Sequence, residues 1–191
     1  QLIKEAEELA AQGVKELILV AQETTLYGKD LYGEKSLHKL LKELCKVSGI
    51  QWIRILYCYP EEITDELIQV IKEEPKICHY LDLPIQHAND EILKRMGRRT
   101  SKQELIDIVT KLRKEIPDIC LRTTLITGFP GETEEQHQEL VEFVDEMEFD
   151  RLGVFTYSPE EDTPAATMPD QIDEEVKLER QAELMELQQE I

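Results

Sequence analysis

The sequence predicts an α/β fold built on parallel strands, and three observations carry that expectation. Five short β-rich runs recur along the chain: "ELILVAQ" from Glu16, "WIRILYC" from Trp52, "HYLDLPIQ" from His79, "CLRTTLIT" from Cys120 and "RLGVFTY" from Arg151. A helical pattern separates each run from the next, and such repeats join parallel strands by right-handed crossovers. At 191 residues the chain suffices for one domain with a substantial core, yet is short for a complete eight-stranded barrel. An open doubly wound sheet and a segment of a barrel share this periodicity, which does not choose between them.

The elements follow in order. The opening "LIKEAEELAAQG" places Leu2, Ala6, Leu9 and Ala10 on one helical face. After the third strand, Asn89 caps the helix "DEILKRM", Asp90 and Glu91 complement its dipole, and Gly97 ends it. Ser101 with Glu104, and Thr133 with Gln136, have the spacing of capping boxes. "EEQHQELVEFVDEM" is amphipathic and buries Leu140, Val141, Phe143, Val144 and Met147. The last segment, "DQIDEEVKLERQAELMELQQEI", reads as a helix capped by Asp170, with Ile172, Val176, Leu184, Leu187 and Ile191 as its apolar positions. Such a helix either leads into another domain or packs on the barrel as a terminal helix.

Charge and cysteine content narrow the partners. The chain carries 22 Lys and Arg against 41 Asp and Glu, a net charge of -19, with no Lys or Arg from Thr123 to Asp150. An acidic surface repels phosphate backbones, so the domain is expected not to bind nucleic acid directly; a basic protein partner suits it better, unless the charge serves solubility alone. No apolar run of about 18 residues marks a membrane span. Cys45, Cys58, Cys78 and Cys120 have the spacing of neither a compact metal knuckle nor a redox pair, and read as reduced core residues of a cytoplasmic protein.

Ligands of parallel α/β folds bind at the carboxyl ends of the strands. Polar groups follow all five runs there: Gln22 to Thr25; Tyr57 and Tyr59; Gln86 and His87; Gly128 to Glu132; and Tyr157 and Ser158. The turn in "RTTLITGFPGET" matches neither GxGxxG nor the phosphate loop GxxxxGK[ST], but Gly128 and Gly131 would let backbone approach a ligand. The cluster Lys94, Arg95, Arg98, Arg99 and Lys102 fits the dipole of a helix C-terminus as well as an anionic substrate. No Ser/His/Asp set, H-E-x-x-H or nucleophile elbow is present, and the residues alone describe an α/β ligand-binding domain without a visible catalytic group.

Four stretches in register, "AQETTLYGKDLYG", "LDLPIQHAND", "RTTLITGFPGETEE" and "FDRLGVFTYSPEEDTPAA", resemble the radical SAM methylthiotransferases, and most closely their ribosomal-protein-modifying branch. The resemblance implies a partial TIM-like (β/α) barrel of the radical SAM type. Its first strand and CxxxCxxC cluster loop would be missing here, with residues 1–168 the radical SAM core and 169–191 a linker helix towards an absent TRAM domain. The implied cofactors are S-adenosylmethionine and 4Fe-4S clusters, the latter without ligands in this chain. The implied reaction adds a methylthio group to the β-carbon of an aspartate in a basic small-subunit ribosomal protein, and the isolated chain is expected to be inactive. The alternatives are a tRNA adenosine methylthiotransferase and a non-enzymatic ligand-binding module.

Carried onto this sequence, the resemblance puts Gln22 and Glu23 at the methionine amino group and Gln86 at the ribose. Arg122 is the candidate partner of the methionine carboxylate, or else a barrel-interior ion-pair residue. Ile126, with Phe155 and Tyr157, would flank adenine. No residue is assigned a catalytic or metal-ligating role. Members of the family more often carry Asp in place of Glu23 and Gly in place of Asp162; the first difference keeps a carboxylate, the second alters the loop after the last strand.

Overall fold

The computed structural model describes residues 1–191 and contains all five expected strands. They are β1 (Glu16–Leu19), β2 (Trp52–Ile55), β3 (Ile77–Gln86), β4 (Cys120–Thr127) and β5 (Arg151–Thr156). They form one sheet in the order β1-β2-β3-β4-β5, and β1 with β2, β2 with β3, and β4 with β5 pair in parallel. Strand order follows chain order without reversal. That selects the barrel type over the doubly wound sheet, whose order reverses at a switch point.

The helices are α1 (Leu2–Ala11), α2 (Lys29–Tyr32), α3 (Leu37–Cys45), α4 (Asp65–Glu73), α5 (Asp90–Arg95), α6 (Lys102–Glu115), α7 (Glu134–Met147) and α8 (Glu174–Glu190). Local chemistry sets most of their ends. Asn89 Oδ1 accepts from the amides of Glu91 and Ile92, both at 3.1 Å, and Gly97 follows α5 in the left-handed region at φ +74°. Both capping boxes form: Ser101 Oγ accepts from the Glu104 amide while Glu104 accepts from the Ser101 amide, and Thr133 and Gln136 exchange the same pair of bonds.

The start of α8 differs from expectation. Asp173, not Asp170, stands at its N-cap and makes no side-chain capping bond. Asp170 lies outside the helix at φ +61°, its carbonyl accepting from the Gly131 amide at 2.8 Å. An aspartate suits either position locally, and this long-range bond decides between them.

The chain divides into two compact units, Gln1–Leu83 with Thr110–Cys120, and Pro84–Val109 with Leu121–Ile191. In the first, Leu41, Ile53, Ile71 and Leu81 are fully buried, and α3 packs on both α1 and α4. In the second, α8 packs on β5 and α7, over a core containing Leu125, Leu140, Leu184 and the ring pair Phe143 and Phe149, whose centroids lie 6.2 Å apart. Burial along β4 alternates strictly, so Arg122, Thr124 and Ile126 share the less covered face. No helix is long and apolar enough to cross a membrane.

Candidate functional site

In the first unit the loop after β1 is held by Glu23. Its carboxylate accepts from the Thr25 amide at 3.0 Å, from the Thr25 hydroxyl, and from the Tyr59 amide at 3.1 and 3.3 Å, tying the ends of β1 and β2 together. Burial pushes its pKa up to about 7, against the pull of the Tyr59 and Thr25 amides and helped by the charges of Glu62 and Glu61. Gln22 beside it is exposed. The buried Asp82 carboxylate accepts from the amide of Tyr57, a residue held at φ +57°. Cys58 is fully buried, and burial with the charges of Glu23 and Asp82 drives its thiol far up, which favours the neutral thiol of a core residue. A groove of about 360 Å³ runs beside β1, lined by Leu9, Leu17, Leu19, Leu40 and Leu44, with Glu23 also on its wall.

In the second unit the parallel register pairs Arg122 with Arg151, Thr124 with Gly153 and Ile126 with Phe155. A Cβ at Gly153 would lie 3.8 Å from Arg122 Nη2 and 3.8 Å from the Phe155 ring. The fold therefore gathers Arg122, Ile126 and Phe155 on one face, with Phe155 59% exposed. Tyr157 turns inward instead. It stacks edge-on against Phe129 at 5.4 Å, in an apolar cluster with Ile92 against which Ile126 also packs.

Four side-chain oxygens in this unit are buried without a hydrogen-bond partner: Gln86 Oε1, Thr100 Oγ1, the Tyr157 hydroxyl and Gln188 Oε1, of which Gln86 and Tyr157 stand at the ends of strands. Gln86 is also held at φ +71°, a conformation costly for a residue with a Cβ. Orphaned buried oxygens and local strain at strand ends are what a polar ligand such as a nucleoside would relieve. A 4Fe-4S cluster does not fit the residues present. Cys45 ends α3, Cys58 follows β2, Cys78 lies on β3 and Cys120 opens β4, and no three His, Cys, Asp or Glu side chains are grouped to hold a metal.

The glycine turn does something the sequence did not reveal. Gly128 and Gly131 have φ of +70° and +80°, but the sides on which their Cβ atoms are missing are already filled. A Cβ at Gly128 would lie 2.0 Å from Lys177 Cγ, and one at Gly131 would lie 1.9 Å from Arg95 Nη1. The expected room for a ligand there is taken by the chain's own basic side chains.

Beneath the turn is a buried polar cluster. Glu132 Oε2 bonds His87 Nε2 at 2.8 Å, while Oε1 accepts from the Gly128 amide at 3.0 Å and from Arg180 Nη1 at 2.6 Å. Burial pushes the Glu132 carboxyl up, but His87, the Gly128 amide and Arg180 outweigh it and hold the group below its ordinary value. Lys177 Nζ donates to the Tyr157 carbonyl at 2.8 Å and pairs with Glu174 at 2.8 Å. The buried face of α8 is thus Lys177, Arg180 and Leu184 rather than an apolar stripe. The only sequence signal was a spacing of i, i+3 and i+7, hidden by the charge of the first two.

Comparisons with known proteins show the family and the fold. The model of the radical SAM superfamily matches residues 1–144. The ribosomal protein uS12 methylthiotransferase RimO of Lachnoclostridium phytofermentans is 70% identical over 189 residues, covering 99% of this chain and 43% of the relative. The protein of the same name from Clostridium botulinum strain Langeland is 61% identical over 190 residues, again covering 43% of the relative. The chain therefore spans less than half the length of these relatives. Among solved structures, coproporphyrinogen III oxidase HemN from Escherichia coli, a radical SAM enzyme, superposes with a TM-score of 0.73 at 20% identity, over 98% of this chain and 45% of that one. At that identity it supports the fold alone.

Proposed function

The chain belongs to the radical SAM superfamily, and from that premise we propose that it is the barrel portion of an enzyme that adds a methylthio group to an aspartate of ribosomal protein uS12. The observation that carries this reading is the 70% identity to a uS12 methylthiotransferase, which runs over 99% of this chain. S-adenosylmethionine supplies the radical chemistry when bound, and this chain contributes its binding groups. Arg122 would take the methionine carboxylate through two parallel hydrogen bonds. Gln86 Oε1 and the Tyr157 hydroxyl, both without partners, would bond the nucleoside, and Ile126 with Phe155 would cover adenine. Gln22 and Glu23 would meet the methionine amino group.

The net charge of -19 supports a basic ribosomal protein over a nucleic acid as the partner, and a reaction on such a substrate would take place in the cytoplasm. The test offers the complete enzyme, reconstituted anaerobically with iron and sulfide, both uS12 and unmodified tRNA, each then analysed by mass spectrometry. A methylthio increment on an aspartate of uS12 is the expected product. An increment on tRNA adenosine instead would move the chain to the tRNA-modifying branch, and ligand binding without either product would leave a non-enzymatic module.

A further inference from the structure

Glu132 is the hub of the second unit, and nothing in the binding role described above uses it. Its three donors come from separate segments: His87 directly follows Gln86 at the end of β3, Gly128 follows β4, and Arg180 belongs to α8. His87 Nδ1 accepts from the Asn89 amide at 3.0 Å, so it is the unprotonated nitrogen and Nε2 carries the proton given to Glu132. The His87 and Glu132 side chains are both 0% exposed. Gly128 in turn fixes Thr127, whose carbonyl accepts from the Tyr157 amide at 2.8 Å. One buried carboxylate therefore sets the backbone at Gln86, at Ile126 and at Tyr157, and Arg180 supplies the cation that keeps this carboxylate ionised away from water.

We propose that Arg180 and His87 are positioning residues for S-adenosylmethionine: through Glu132 they hold the ends of β3 and β4 so that Gln86, Ile126 and Tyr157 meet the nucleoside together. The inference rests on the reading of those three residues as nucleoside contacts. It gives α8 a function beyond covering the sheet, because the helix delivers its guanidinium to the turn while Lys177 packs over Gly128.

The test measures the affinity of the complete, reconstituted enzyme for S-adenosylmethionine and for S-adenosylhomocysteine by equilibrium dialysis, beside its thermal midpoint. Arg180→Met is expected to weaken both affinities at least about tenfold, whereas Leu184→Ala, one turn along the same buried face, changes them less than about twofold although it lowers the midpoint as much. His87→Gln, which retains a donor near the Nε2 position, should bind close to wild type, and His87→Met should bind as weakly as Arg180→Met. If Arg180→Met fails to fold, the His87 pair carries the test alone. Equal affinity losses in Arg180→Met and Leu184→Ala, or equal affinities in the two His87 variants, would overturn the proposal. A wild-type enzyme that binds neither ligand would overturn the cofactor reading itself, and this inference with it.

Discussion

Replacing Gly128 by alanine asks whether the turn is held by its own backbone or by α8. The residue has φ +70°, and a side chain in the left-handed region costs about 1–2 kcal/mol. The added methyl would also lie 2.0 Å from Lys177 Cγ and 2.6 Å from Cδ. Lys177 cannot swing aside freely, since it is 5% exposed and its ammonium is bonded to the Tyr157 carbonyl and to Glu174. Overpacking of this kind costs about 1–3 kcal/mol, so Gly128→Ala should destabilise by roughly 2–5 kcal/mol in all.

A second substitution separates the two contributions. Lys177→Ala removes Cγ and Cδ and leaves only its Cβ, 3.1 Å from the new methyl, a contact that a shift of a few tenths of an ångström relieves. In that background Gly128→Ala should cost only the backbone part, about 1–2 kcal/mol, giving a coupling of roughly 1–3 kcal/mol between the two sites. Urea unfolding followed by far-ultraviolet circular dichroism, on the wild type, both single variants and the double variant, closes the cycle. An equal cost of Gly128→Ala in both backgrounds would refute the claim that Lys177 packs against the turn.

Other expectations follow from the same geometry. Glu23, raised to about 7, contributes stability that is fully present below its unfolded value of 4.5 and is lost as pH rises through 7; the Glu23→Gln variant should therefore show a flatter midpoint between pH 4.5 and 8 in a thermal scan. Tyr157→Phe removes a buried hydroxyl without a partner, so the unliganded protein should be unchanged or stabilised by up to about 1 kcal/mol while S-adenosylmethionine binding weakens; a loss of stability with unaltered binding would count against its ligand role. Phe143→Ala empties a fully buried position and should cost about 3–5 kcal/mol by urea unfolding.

The parts that were legible in the sequence are those set locally. Strand runs, capping boxes and the Asn89 cap depend on residues within a few positions of one another, and each formed where its spacing indicated. The face shared by Arg122, Ile126 and Phe155 was half legible: alternation along each strand is a sequence property, but the pairing of Ile126 with Phe155 is a register between distant segments. Glu132 and Arg180 lie far apart in sequence and each looks like a surface charge, so only folding reveals that they neutralise one another. The same distance effect misled the reading of Asp170, whose carbonyl is fixed by Gly131, and of the glycine turn, whose open sides Lys177 and Arg95 fill.

The most direct test of the claim that the face between β4 and β5 receives the cofactor compares two arginines that the register places side by side, Arg122 and Arg151. Each is replaced by alanine in the complete enzyme, and the dissociation constant for S-adenosylmethionine is measured by calorimetry. Loss of a charged, doubly hydrogen-bonded contact worth about 1.5–3 kcal/mol should weaken binding by roughly 10- to 150-fold in Arg122→Ala, and leave Arg151→Ala within about twofold of wild type. Equal affinities in the two variants would remove Arg122 from the site and contradict the assignment of this face.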